Sequence, residues 1–103
     1  MLPTPRPGRS VEGVPSYLVE TYLARADARG RAACEQRARS VAAELTGQGT
    51  RVRFDRTIHL PEDEICFFVF DAPSGREAAL AAERAELGPL RVVEALSSGE
   101  EHS

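Results

Sequence analysis

Alternating and helical patterns of apolar residues divide the first half of the chain into three segments. Tyr17 to Leu23 has the length and β-propensity of a strand. Thr50 to His59 is a second predicted strand, in which apolar and polar positions alternate. This alternation predicts that one face of the strand carries Val52, Phe54, Arg56 and Ile58. Between them a helix is predicted to begin after Asp27 as N-cap and to end at Gly47. Its buried stripe recurs at helical spacing and comprises Cys34, Ala38, Val41, Ala42 and Leu45.

The second half of the chain repeats this strand and helix order. Pro61 begins a turn, because proline fixes φ and does not continue the preceding strand. Ile65 to Phe70 is an unbroken apolar run, which predicts a strand buried on both faces. Ser74 and Glu77 form a capping box for a helix that ends near Glu86. Leu90 to Leu96, after the Gly-Pro break, is the fourth predicted strand.

The resulting order βαββαβ is the split βαβ arrangement of ferredoxin-like α+β folds. Right-handed crossovers place both helices on one face of an antiparallel sheet with strand order 4-1-3-2. The other face has no helix to cover it, although the first and third strands carry apolar residues on both faces. An exposed apolar face of this kind predicts a partner, and a second copy of the chain is the simplest one. We therefore expect a homodimer.

Composition sets the domain limits and the compartment. Residues 1–15 are rich in Pro and Gly, and residues 97–103 are small and polar, so both are predicted to be disordered tails around one domain, 16–96. The N-terminal residues lack the apolar segment that is typical of a secretion signal, and no apolar stretch of the sequence is long enough to cross a membrane. We expect a cytoplasmic protein with no membrane partner, in which Cys34 and Cys66 are buried free thiols.

Charge excludes two classes of function. The net charge is -3, and the basic residues do not form a run with aromatic residues between them, so nucleic acid is not an expected partner. All 13 basic residues are Arg. A mechanism that uses a lysine Schiff base or a lysine general base is therefore excluded.

Charges that interrupt apolar rows identify a candidate polar cluster. Alternate residues along a strand point to the same face. On three strands such a set of otherwise apolar residues contains one charge, which is Glu20, Arg56 or Glu94, and Tyr22 is on the same face of its strand as Glu20. Because three separately buried charges would each cost several kcal/mol, we expect them to meet inside the dimer, with Tyr22 at the edge. Two interpretations stay open: an ion-pair cluster that fixes strand register, or a ligand pocket in which a carboxylate acts as base or ligand.

Four segments resemble a bacterial family of small proteins catalogued as a domain of unknown function. They are Tyr17 to Tyr22, Pro61 to Phe67, Phe70 to Ser74 and Arg91 to Ala95. The chain is similar, over nearly all of Ser16 to Leu96, to an actinobacterial member described as nickel-binding. The resemblance implies a dimeric ferredoxin-like α/β barrel, two sheets face to face, with nickel or another divalent metal near the subunit interface.

The candidate metal ligands of this chain are few. The nickel-binding relatives have a Trp and a His on the second strand, where this chain has Phe54 and Arg56. His59 is the one histidine inside the predicted domain, and Glu62 and Glu64 are the carboxylates nearest to it in sequence. Nickel prefers nitrogen and sulfur donors, so such a site would need help from the partner subunit.

Three functions remain open at this point. The first is metal binding or buffering, which rests on the resemblance. The second is a cofactor-free enzyme of the dimeric-barrel type, such as a monooxygenase, isomerase or cyclase, which would need a pocket inside the barrel. The third is a non-catalytic interaction module, which a filled barrel would favour.

Overall fold

The strands and helices follow one another in the predicted order. The computed structural model describes residues 14–96. The elements are β1 (Ser16–Tyr22), α1 (Ala28–Gly47), β2 (Arg53–Leu60), a 3-10 turn (Pro61–Asp63), β3 (Ile65–Asp71), α2 (Gly75–Arg84) and β4 (Pro89–Ala95). The predicted tails lie outside the described residues except for the last two positions of the first tail. Of these, Pro15 accepts a hydrogen bond from the Ala72 amide at 3.1 Å, so the ordered fold begins before Ser16.

Both helices begin at the predicted caps. The Asp27 carboxylate accepts a hydrogen bond from the Gly30 amide at 2.8 Å. A Cβ on Gly30 would lie too close to the Asp27 carboxylate, so a larger residue at this position would require the Asp27 side chain to shift. The Ser74 hydroxyl accepts a hydrogen bond from the Arg76 amide at 3.3 Å and donates a hydrogen bond to the Glu77 carboxylate. That hydrogen bond lowers the pKa of the Glu77 carboxyl, as expected for a carboxylate that accepts hydrogen bonds at a helix N-terminus.

The sheet is antiparallel with the order β2-β3-β1-β4, as predicted. The central strands are therefore β1 and β3, and β3 contains the unbroken apolar run of Ile65 to Phe70. Both helices lie on one face of the sheet, and their buried residues join one core with Val19, Phe68 and Phe70 of the central strands. Most helix residues in this core are alanines, which let the helices approach the large rings of the sheet closely. Phe54 adds a third ring, 5.4 Å from Phe70 in an edge-to-face arrangement.

A β-bulge in β2 corrects one prediction. Phe54 is paired with Phe70, but Arg56 is paired with Val69, so Asp55 is an extra residue in this strand. Phe54 consequently faces the helices, whereas Arg56 and Ile58 face the other side. The prediction that Val52, Phe54, Arg56 and Ile58 share one face is wrong, because simple alternation fails at the bulge.

The architecture is an α+β, ferredoxin-like βαββαβ sandwich of two layers. One layer is the pair of helices, and the other is the sheet. Neither helix of the described part is both long and apolar enough to cross a membrane. The sheet face turned away from the helices positions the candidate site described next.

Candidate functional site

The side chains of the sheet that point away from the helices form what we call the open face. Nothing within residues 14–96 forms a second layer over it. Its centre is apolar, and several of its side chains are only half-buried. Along each strand, residues next to a core residue point to the open face, and paired residues on neighbouring strands point to the same face. The apolar residues of the open face are therefore Leu18, Ile58, Ile65, Phe67, Val69 and Val93.

Glu20 lies on the open face in an ion pair. Its carboxylate accepts a hydrogen bond from Arg91 Nε at 2.6 Å, and Arg91 is its cross-strand neighbour on β4. The Glu20 side chain is 15% exposed, whereas the Arg91 side chain is 68% exposed. The pair neutralises a half-buried carboxylate at the rim of the apolar centre, which favours the interpretation of Glu20 as a structural residue.

Glu94 does not join Glu20. It is paired with Tyr17, whose ring lies against the start of α2 at Gly75, so Glu94 is on the helix side of the sheet and is exposed. Arg56 is on the open face, but its guanidinium is bound to the neighbouring Asp55 at 2.8 Å and is 64% exposed. The predicted cluster of Glu20, Arg56 and Glu94 is therefore absent from the protomer. The prediction failed because it placed Glu94 on the same face of the sheet as Glu20, whereas the register puts Glu94 opposite Tyr17 and Arg91 opposite Glu20.

Tyr22, the fourth predicted pocket residue, lies at the far end of the open face and is 62% exposed. Its hydroxyl donates to Glu64 Oε1 at 3.5 Å, and the other oxygen of Glu64 accepts from the Arg25 amide at 3.2 Å. Glu64 also has a left-handed backbone, with φ of 54°. These contacts fasten the end of β1 to the turn before β3, which is a structural role for both residues.

Asp71 is a buried carboxylate that the sequence analysis missed. It is 3% exposed at the end of β3 and accepts a hydrogen bond from the Ser16 hydroxyl at 2.6 Å. Its other oxygen lies 3.3 Å from both Nε and Nη2 of Arg53. A charge directly after the apolar run of β3 is the available signal in the sequence, but a charge at that position is equally typical of a strand end. The Ser16, Arg53 and Asp71 side chains join three strands at one end of the sheet.

A small concavity lies near this end of the open face. Its volume is about 300 Å³, and Leu18 and Val69 supply its apolar part. Arg56 and Ser16 bring polar groups to it. The lining residues are Ser16, Leu18, Asp55, Arg56, Val69, Ala95 and Leu96. The volume is at the lower limit for small-molecule pockets in proteins.

The candidate metal ligands are not brought together. His59 is paired with the core residue Cys66 and therefore faces the helices. Its Nδ1 lies 3.3 Å from Arg31 Nη1, and because a guanidinium only donates, Nδ1 is the acceptor and the neutral ring carries its proton on Nε2. That nitrogen is buried and has no hydrogen-bond partner among residues 14–96. Arg31 thus occupies Nδ1, and Nε2 is buried on the helix side of the sheet.

The carboxylates do not compensate for His59. Glu62 is exposed in the 3-10 turn, and Glu64 is engaged with Tyr22 and Arg25. Within the described part of the chain, no group of three His, Cys, Asp or Glu side chains could hold a metal ion. Within the described part of one protomer, His59, Glu62 and Glu64 therefore do not form a metal site.

The two thiols are free, as predicted. Cys66 is fully buried, and Cys34 is half-buried with its sulfur 3.4 Å from Arg37 Nη2. Burial, aided by the nearby Cys34, raises the pKa of the Cys66 thiol to about 11. The apolar patterns of α1 and β3 predicted burial of both thiols, which holds for Cys66 but not for the half-buried Cys34.

These observations define a ferredoxin-like α+β protein with an open sheet face. Comparison of the chain with models of protein families, with curated proteins and with solved structures finds no match. The open face, its concavity and the buried Asp71 therefore carry the functional argument by themselves.

Substitution of Asp71 tests the three-strand junction. Asp71→Ala removes the acceptor of Ser16 and the partner of Arg53, and we expect a loss of about 1–3 kcal/mol in the free energy of unfolding. Arg53 is half-exposed, so most of this loss reflects the hydrogen bonds and not the charge pair. Urea denaturation measures it. Asp63→Ala in the exposed turn is the control and should change stability by less than about 0.5 kcal/mol. Equal effects of the two substitutions would contradict the assignment.

Reactivity of Cys66 tests its burial. With a pKa of about 11, only about one thiol in a thousand is ionised at pH 8, so a Cys34→Ser variant should be labelled by a thiol reagent only as it unfolds. The neutral folded thiol also contributes stability that is complete below pH 9 and is lost as pH rises through about 11. This loss should be absent from Cys66→Ala. Rapid native labelling of the Cys34→Ser variant would contradict the prediction.

Proposed function

We propose that the protein is a homodimer that associates through the open face and binds a small molecule between the two sheets. The observation that carries the proposal is the apolar centre of that face, which no described element covers. Half-buried apolar residues such as Leu18, Phe67 and Val93 lose further contact with water when a second copy covers them. In an isologous dimer the apolar patch of one subunit packs against the same patch of the other subunit, so a single surface is sufficient for association.

The charges of the open face support this association. Glu20 is paired with Arg91, Arg56 with Asp55, and Asp71 with Arg53, all within one protomer. Burial of an unpaired charge at an interface is costly. Because each of these charges already has a counter-charge within its own protomer, covering the face does not incur that cost. Strand spacing and rise give the face a flat area of roughly 440 Å² per protomer. Two such faces bury roughly 880 Å², which is below the roughly 1,200 Å² at which standard specific interfaces begin, so the proposed dimer is of no more than moderate affinity.

The concavity beside Arg56 supports the binding part of the proposal. In the paired state the partner would close it from above, which gives a small enclosed site lined by the apolar Leu18 and Val69 and by the Arg56–Asp55 ion pair. Such a site supports a ligand-binding or enzymatic role over a purely structural one, because a filled interface would have no room. The two free thiols support a reducing, cytoplasmic environment for the protein.

Sedimentation equilibrium tests the dimer. The native protein is expected to be dimeric at micromolar concentration. Leu18→Glu and, on the edge strand, Val93→Glu each place an unpaired carboxylate in the interface and should weaken dimerisation at least about hundredfold. Ala33→Glu on the exposed side of α1 is the matched control and should leave the dimer intact. Circular dichroism establishes that each variant is folded. A monomeric native protein would contradict the proposal.

Fragment screening by NMR tests the ligand site. We expect some fragments to cause saturable shifts in the amides of Leu18, Val69 and Ala95, and Arg56→Ala to weaken their binding about tenfold. Arg51→Ala, an exposed arginine outside the concavity, is the control. A dimer in which no fragment shifts those amides would instead indicate a filled barrel and a non-catalytic interaction module.

A further inference from the structure

A second concave site lies on the other layer of the molecule, between α1 and the edge strand β2. It is a groove of about 570 Å³, within the range of small-molecule sites. Its walls come from the C-terminal half of α1 and from the residues that begin β2. They are Arg39, Ala42, Ala43, Thr46, Gly47, Val52, Arg53 and Phe54. The groove is distinct from the open face, and the inference below does not depend on dimerisation.

Small side chains create the space in this groove. Ala42 and Ala43 line it together with Gly47, and a Cβ built on Gly47 would have no atom within 4 Å. Thr46 does not offer its hydroxyl to a ligand, because that group donates to the Val52 carbonyl at 2.8 Å and joins the two walls. The surface available to a ligand is therefore mainly apolar, with Phe54 at one end.

A single cation is held at the Phe54 end. The guanidinium carbon of Arg39 lies 5.0 Å from the centroid of the Phe54 ring, which is a cation–π contact that orients the planar group. Arg53 is already bound to Asp71 on the other side of the sheet. No lining residue is acidic, and Arg39 has no carboxylate partner among residues 14–96. The guanidinium keeps its donors for an anion.

We propose that this groove binds an apolar carboxylate, with the carboxylate at Arg39 and the hydrocarbon part along Ala42, Ala43 and Gly47. Charge complementarity selects the anion, since an arginine fork binds a carboxylate with two parallel hydrogen bonds. The polarity along α1 agrees with this orientation. The C-terminal end of the helix at Gly47 carries partial negative charge, so the anionic group is placed away from it, at Arg39.

Titration with octanoate, followed by NMR of backbone amides, tests the proposal. Saturable shifts are expected at Ala42, Ala43, Gly47 and Phe54. Octanamide, which has the same chain without the charge, should bind about tenfold more weakly. Arg39→Gln should weaken octanoate to the same extent and leave octanamide unchanged. Arg29→Gln, the same change at an exposed position of α1, is the control and should have no effect.

A second variant keeps the test independent of charge. Gly47→Leu fills the groove at a position where the structure has space, and it should abolish binding of both compounds while the helix is retained. Shifts confined to Leu18 and Val69 would place octanoate on the open face and overturn the proposal. So would equal binding of octanoate by the native protein and Arg39→Gln, an absence of saturable shifts, or self-association through the groove.

Discussion

Burial of the phenylalanine rings of the sheet under the two alanine-rich helices is the interaction on which the rest of the structure depends. Phe68 and Phe70 are 1% and 0% exposed, and the helix residues above them are small. Large rings on the sheet and small residues on the helices are complementary in size, so that together they exclude water from the space between the layers. This arrangement commits one face of the sheet to the core. It leaves the apolar residues of the other face without a layer of their own.

The bulge at Asp55 sets the chemistry of both faces. Without it, continued alternation from Phe54 would direct Arg56 into the core, where an unpaired guanidinium is costly. With it, Phe54 stays in the core, and Arg56 comes to the open face beside the concavity. The same shift turns Thr57 and His59 toward the helices, where the Thr57 hydroxyl and His59 Nε2 are buried without a partner in the described range. One extra residue thus supplies a cation to the open face at the cost of two unsatisfied polar atoms.

Sequence patterns predicted the elements and their order because those depend on local signals. The Asp27 and Ser74 caps, the turn at Pro61 and the apolar run of β3 were each visible in the sequence, and the strand order follows from the connections. The site was predicted poorly, since it depends on which side chains share a face. The prediction puts Glu94 on the same face of the sheet as Glu20. In the structure Glu94 is paired with Tyr17, so it lies on the opposite face. A bulge or a one-residue shift in register reverses every such assignment, and neither has a clear signal in one sequence.

The two concave sites differ in what they require of the protein. The open-face concavity is incomplete in one protomer, so any ligand there would be coupled to dimerisation: a ligand that binds only the paired state stabilises the dimer by mass action. The groove beside α1 is complete in one protomer and lies on the opposite layer, so its occupancy need not change the oligomeric state. Phe54 and Arg56 flank the same bulge, and one lines the groove while the other lines the concavity. Any movement of β2 at Asp55 would therefore alter both sites, so the bulge is a place in the described fold where the two sites could influence each other.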